Sequence, residues 1–421
     1  MLSFRTGNFV PQKSITKPIV QFFVLSVICV GCMSQPQVQT LTILYSFTGG
    51  TDGSSPQSGV TLDAAGNIYG TTPYGGNPGC DSGCGTVFKV DRNGNEGTLY
   101  SFLGGTDGAN PFSQLVIGRS GNLFGTTNRG GDRCGETGCG TVFEIRPEGE
   151  EVNTYRFTFY DIHDGSHPWA GLLIGQGGIA YGTTFAGGAS GEGAVYAISE
   201  SKERVLHSFI GGSDGAFPYG PLIKDKAGSL YGMTSFGGDY CPEGPTSGCG
   251  VVFKIRPQGR EEVLYRFPGG INGAVPLAGL IRQGSWLYGA TSEGGGSVSC
   301  ALGCGTVFRV DLNGNETVIH RFNGDTDGAS PRGTLLLGAD GDLYGTTATG
   351  GDSSCHAPAG CGTIFKIDPS GHFSIVHTFE GPPGDGAVPL AGVSRDDTGN
   401  LYGTTSVGGT YDLGTVFKLT P

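Results

Sequence analysis

Of 421 residues, 81 are Gly and 23 Pro, only 15 % are charged, and the formal net charge is −12. No Lys/Arg run offsets that acidity, which argues against nucleic acid and against an anionic membrane surface as partners. A Gly-plus-Pro share of about a quarter marks a low-complexity chain unless the residues recur with a period, and here they do.

In chain order, the first element is an export segment. Arg5, Lys13 and Lys17 precede an apolar stretch over 19–30, short for a bilayer span and of the length of a signal-peptide core. Val30-Gly31-Cys32 resembles a lipobox, with Cys32 lipidated as the mature N-terminus. Cys29 stands where Leu is usual, so cleavage just beyond, after Ser34, is the alternative, and a retained anchor a third reading. The expected organisation is a signal peptide over 1–32, a linker over 33–40 and one seven-repeat domain over 41–421. The expected location is outside the cytoplasm, as an outer-membrane lipoprotein or as a secreted or periplasmic protein. The lipid is then the sole membrane attachment.

Beyond the linker, Tyr-Gly-Thr-Thr recurs with small variations at Tyr69, Phe124, Tyr181, Tyr231, Tyr288, Tyr344 and Tyr402. Gaps of 50 to 58 residues mark a repeat architecture. The second repeat reads as strands over 115–118, 123–127 and 140–145, with a fourth ending in Tyr155-Arg156-Phe157. Four short strands per repeat, separated by Gly/Asn/Asp turns, predict an all-β, seven-bladed β-propeller of four-stranded blades. A strand over 41–47 matches the fourth strand of other repeats, and the last, over 414–419, matches the third. The N-terminal strand is therefore expected to pair into the last blade and close the ring, removing free edges. An open β-solenoid is the rival.

From the repeat Pro to the Tyr or Phe anchor is 13 residues in six repeats and 12 in the fifth, whereas anchor to third-strand aromatic varies from 15 to 22. The second-to-third-strand loop is thus the tolerant one. It holds five Cys pairs: Cys80/Cys84, Cys134/Cys139, Cys241/Cys249, Cys300/Cys304 and Cys355/Cys361. In an exported protein these read as disulfides stapling the longer loops. A zinc shell is the weaker alternative, with only His356 nearby, and no metal site is assigned.

Asp-Gly-x-x-Pro recurs at Asp52, Asp107, Asp164, Asp214, Asp327 and Asp385, with Asn272 in the fifth repeat. Propeller topology gathers these turns and the Cys loops on one face, where they could bind a cation, Ca2+ included, or a sugar. Seven copies fit better with Asp capping its own turn. Tyr-Gly-Thr-Thr reads as strand packing. So do His207, His320 and His377, which occupy the slot of Tyr45, Tyr100, Tyr155 and Tyr265. Departures from the repeat are the better candidates for a site. The third repeat carries Phe159-Tyr160-Asp161-Ile162-His163, then Asp164, His167 and Trp169; Phe217 and Tyr219 fall on the matching stretch of the next. Aromatic platform, imidazoles and acids together could stack a sugar ring or ligate a metal, and ordinary loop variation is the alternative. Trp286, the other Trp, falls on a strand. No zincin motif or phosphate loop is present, and no catalytic residue is assigned.

Stretches such as Gly399-Asn400-Leu401-Tyr402-Gly403-Thr404-Thr405 and Gly414-Thr415-Val416-Phe417-Lys418, in seven tandem copies, resemble the GloVer (Gloeo/Verruco-type) tandem-repeat proteins of bacteria. The resemblance covers residues 41–421 and implies an exported, surface-anchored protein with no defined activity. The expectation is a monomeric, non-enzymatic binding propeller without cofactor, whose partner is a glycan or an envelope or extracellular protein. A carbohydrate-active lyase or hydrolase with acids at the channel mouth, and a purely structural envelope protein, are the alternatives.

Overall fold

The β-branched and aromatic residues of each repeat build four antiparallel strands, and seven such sheets follow one another. A computed structural model describes Gly7 and residues 39–131, 134, 137–147, 149–158, 164–238, 241, 248–355 and 359–420. Apart from Gly7, the expected signal peptide with Cys32 lies outside the described residues, as do Asp161, His163 and His356. From Gln39 onward the chain is a single compact unit. Blade 1 consists of Thr61–Leu62, Ile68–Thr72, Thr86–Val90 and Glu96–Ser101. The first strand is shorter than expected: in blade 2 it is Val116–Ile117, because Gly118 already bonds Asn122 across the following turn. Among the described residues the only helical pieces are four three-residue 3-10 turns, and no helix is long and apolar enough to cross a membrane.

Blade 7 closes the ring. Thr40–Ser46 pairs with Thr415–Thr420, Thr40 facing Thr420 and Ser46 facing Thr415, beside Leu401–Thr405 and Ser394–Arg395. Ser394 Oγ donates to the Val60 carbonyl at 2.5 Å and Thr404 Oγ1 to that of Ser58 at 2.7 Å, joining the last blade to the first.

Tyr-Gly-Thr-Thr is the second strand of every blade. Its Gly faces the third-strand aromatic, Gly70 opposite Phe88 and Gly125 opposite Phe143, and a Cβ on Gly125 would lie 2.5 Å from the Phe143 ring. Only Gly lets that ring lie flat across the strand. The second Thr bonds the Thr that opens the third strand in blades 1, 2, 5, 6 and 7, at 2.8–2.9 Å. Both hydroxyls are buried, so the pair satisfies polar atoms that burial would otherwise penalise.

The joint between blades is the same seven times. The residue before each repeat Pro has a positive φ of 51–57°: Ser55, Asn110, His167, Phe217, Val275, Ser330 and Val388. Its amide donates to the preceding blade, to the carbonyls of Leu413, Cys84, Cys139, Glu192, Cys249, Cys304 and Cys361 in turn, at 2.7–3.0 Å. The Pro then packs on the Gly that follows that carbonyl, as Pro111 does on Gly85. Deeper in the seam, Phe47, Phe102, Phe157, Phe209, Phe267, Phe322 and Phe379 each meet the next blade's third-strand aromatic edge to face, with centroids 5.0–5.4 Å apart.

All five Cys pairs are disulfides, with Cα atoms 5.0–5.6 Å apart. The second Cys of each pair supplies the acceptor carbonyl of a joint, so each bond fixes one side of a seam. Blades 3 and 7 hold no disulfide and compensate with backbone. There the turn before the first strand pairs with the second-to-third loop over two residues, Gly165–Ser166 with Ala186–Gly187 and Gly386–Ala387 with Val407–Gly408. The other five blades make a single bridge at that place.

The Asp-Gly carboxylates cap turns. Asp52 accepts from the Thr48 amide at 2.7 Å and the Tyr45 hydroxyl at 2.8 Å; Asp214 accepts from the Ile210 amide at 2.9 Å and lies 3.2 Å from His207 Nε2. His320 and His377 stand in the same relation to Asp327 and Asp385, at 3.2 and 2.6 Å. Imidazole thus replaces phenol as the partner of one turn-capping carboxylate. A Glu of the next blade's outer strand comes up to the same Asp. Glu151, next to Asp107, and Glu261, next to Asp214, are each pushed up to about 7, chiefly by burial and then by the neighbouring carboxylate.

Two outcomes are expected. Gly125→Ala destabilises the fold by about 1–3 kcal/mol, as overpacking does, and Phe143→Leu in the same chain recovers part of the loss in a denaturation double-mutant cycle. Between the ordinary Glu value of 4.5 and the native value of about 7, the folded chain keeps protons at Glu151 and Glu261 that the unfolded chain has released. This stability is present on the acid side and lost as pH rises through about 7. The urea midpoint should fall between pH 5 and 8, and Glu151→Gln with Glu261→Gln should flatten that slope.

Candidate functional site

Because the joint fixes the repeat Pro, it also fixes the side chain after it. That position precedes the first strand, and the first strands meet neighbours on both sides around the axis. Gln114 Nε2 donates to the Val60 carbonyl at 2.9 Å, and the Gly279 amide donates to Thr334 Oγ1 at 2.9 Å. The seven side chains after Pro therefore rim one mouth of the ring. Three adjacent blades place aromatics there, Phe112, Trp169 and Tyr219; blade 6 places Arg332; Gln57, Leu277 and Leu390 complete the rim.

The three aromatics form a continuous ledge. Phe112 and Trp169 lie 4.2 Å apart between centroids with planes tilted by 32°, and Trp169 stacks on Tyr219 at 5.1 Å and 23°. Tyr74 meets Phe112 edge-on at 6.2 Å, and Phe185 meets Tyr219 edge-on at 6.4 Å. All five are partly exposed. Burial pushes the Tyr219 phenol up to about 12, with Arg332 pulling the other way and Tyr74 adding to the rise. Those two partners belong to blades 6 and 1.

The expected site residues divide. Trp169 and Tyr219 come together on the ledge. Phe217 sits beside it, 4.9 Å from Phe185 and 5.9 Å from Phe236. His167 serves the joint through its backbone; its Nδ1 is buried without a hydrogen-bond partner, and burial, with Arg129 nearby, holds the imidazole below the usual range. Asp164 is buried beneath its own turn, where Oδ2 accepts from the Thr158 amide at 2.7 Å and the Tyr155 hydroxyl at 3.1 Å. Trp286 lies apart, on the second strand of blade 5, with Arg309 4.4 Å over its ring. Among the described residues, no group of three or more His, Cys, Asp or Glu could hold a metal ion.

Phe112, Arg332, Tyr74 and Phe185 were not singled out by the sequence reading. The first two were within its reach, since they follow Pro111 and Pro331 as Trp169 follows Pro168. The arc spans three repeats, so no single repeat departs from the pattern enough to mark it. On the opposite face, the first-to-second-strand turns of blades 2–4 enclose a depression of about 730 Å3 with Arg119, Lys224 and Lys226 on its walls. The Lys224 ammonium is held by Tyr181, 3.0 Å from its hydroxyl and 4.2 Å above its ring.

Among solved structures the chain is similar to a puromycin-hydrolysing peptidase of Mycobacterium tuberculosis, at 14 % identity and a TM-score of 0.53, over 86 % of this chain and 50 % of that one. It is similar to the extracellular domain of a protein described as a hybrid two-component system of B. thetaiotaomicron, at 12 % and 0.52, over 90 % of this chain and 39 % of that one. A gluconolactonase of Xanthomonas campestris aligns at 14 % and 0.40, over 71 % and 82 %. At these identities the likeness shows the fold alone. No protein of curated function matches the sequence. The profile of the Gloeobacter/Verrucomicrobia repeat matches residues 33–133, 132–303 and 299–421, and the chain belongs to that family.

Proposed function

We propose that this is an exported, non-enzymatic binding propeller whose ligand, a saccharide, docks on the aromatic ledge at the rimmed mouth. One observation carries the reading: Phe112, Trp169 and Tyr219, from three adjacent blades, stack on one another at the rim and each remains partly exposed. Such a stack offers its ring edges and its two end rings, Phe112 and Tyr219, as an apolar strip against which the C–H faces of several residues of a glycan chain pack. The Asp-Gly carboxylates, which would be the acids of a hydrolase, are engaged in capping turns. That favours binding over hydrolysis.

Five disulfides support an oxidising compartment. Within the proposal, residues 1–32 direct export, Cys32 carries the lipid, 33–40 form a tether and the propeller follows from 41.

Two measurements test this. Glycan-array binding followed by titration calorimetry should show Trp169→Ala and Tyr219→Ala each weakening the best saccharide about 30-fold, as loss of a central aromatic anchor does. Retained affinity in both variants, or capture of a protein with no saccharide bound, removes the reading. For the anchor, Cys32→Ser should move the full-length protein from the detergent phase to the aqueous phase. Unchanged partitioning removes lipidation.

A further inference from the structure

The ledge accounts for one side of the rim, and blade 6 stands across from it. At the position where blades 2–4 carry aromatics, blade 6 carries Arg332, whose side chain is exposed. Its charge reaches Tyr219 and also Glu293, a carboxyl that burial holds above its usual range. Among the described residues Arg332 has no ion-pair partner, and its Nε donates only to Ser330 Oγ, at 3.3 Å. A second exposed cation, Arg129 of blade 2, lies near His167. In a chain of net charge −12, an exposed cation on the rim across from the aromatics is a local exception.

We infer that the rim selects anionic saccharides: the sugar chain packs along the stack of Phe112, Trp169 and Tyr219 while a carboxylate or sulfate pairs with the Arg332 guanidinium. Arg332 is the specificity-determining residue. A guanidinium offers a planar fork of donors matched to such oxyanions, and partial desolvation at the rim strengthens the pair. The acidic body repels polyanions in general, so binding of this kind depends on the rim and not on bulk charge. The inference rests on the saccharide reading above.

Titration calorimetry on the intact protein separates the two claims, using galacturonate oligomers, sulfated galactan oligomers and neutral galactan oligomers of equal length. At least one anionic series should bind ten-fold or more tighter than the neutral one, and which one identifies the oxyanion. The advantage should shrink to within about three-fold in Arg332→Gln and return only in part in Arg332→Lys, which keeps the charge and loses the fork, while Trp169→Ala weakens all series together. Equal binding of neutral and anionic oligomers, with the Trp169 effect intact, overturns the inference and leaves the saccharide reading standing. An anionic preference that survives in Arg332→Gln overturns the role of Arg332. Binding of no series, or affinity indifferent to Trp169, overturns both claims. Arg332 is exposed, so its variants should keep the wild-type unfolding midpoint, and a changed midpoint directs the comparison to Arg332→Lys.

Discussion

Everything in this ring hangs on one backbone hydrogen bond, made seven times from a residue held at positive φ to a carbonyl of the blade before it. The left-handed conformation costs an L-residue on the order of 1–2 kcal/mol, and Val275 and Val388 adopt it despite β-branching. Gly would relieve the strain but would leave the seam without a side chain. The conformation persists because the surroundings over-determine it. The following Pro sits against a Gly of the neighbouring blade, and a pair of aromatic rings locks edge to face beneath. The cysteines belong to this arrangement. Bridging residues only four to eight apart, they restrict little of the unfolded chain but hold the acceptor carbonyl in place.

The same joint makes the rim precise. The side chain after each Pro is one residue from a fixed backbone, so it projects at a set height and angle whatever its identity. Packing leaves the position free, because an aromatic, Leu, Gln and Arg all occur there. Rigid placement with free chemistry is what a binding surface requires, and it is why aromatics from separate blades stack in register across the seams.

Much of the frame was legible in the sequence because its causes are local. The Gly of Tyr-Gly-Thr-Thr answers to a ring on the next strand, Asp-Gly answers to its own turn, and closely spaced Cys pairs answer to each other. The matching of the strand over 41–47 to fourth strands foretold closure for the same reason. What stayed hidden is long-range. The pairing of Asp107 with Glu151, and the ledge of Phe112, Trp169 and Tyr219, exist only once blades sit side by side. Asp164 shows the converse: it looked like part of a site because its repeat is unusual, yet its carboxylate does what Asp52 and Asp214 do.

Closure has a mechanical consequence. In six blades the outer strand is the next stretch of chain after the third, so a short covalent turn returns it if it frays. In blade 7 the outer strand comes from the far end of the domain, and the ladder from Thr40–Thr420 to Ser46–Thr415 holds it where the other blades have a covalent turn. Force applied through the chain before Thr40 pulls on that strand first. A peeled strand takes Phe47 from its place against Phe88 and exposes the seam between blades 7 and 1. The ring is therefore least secure at the point where the chain leaves it.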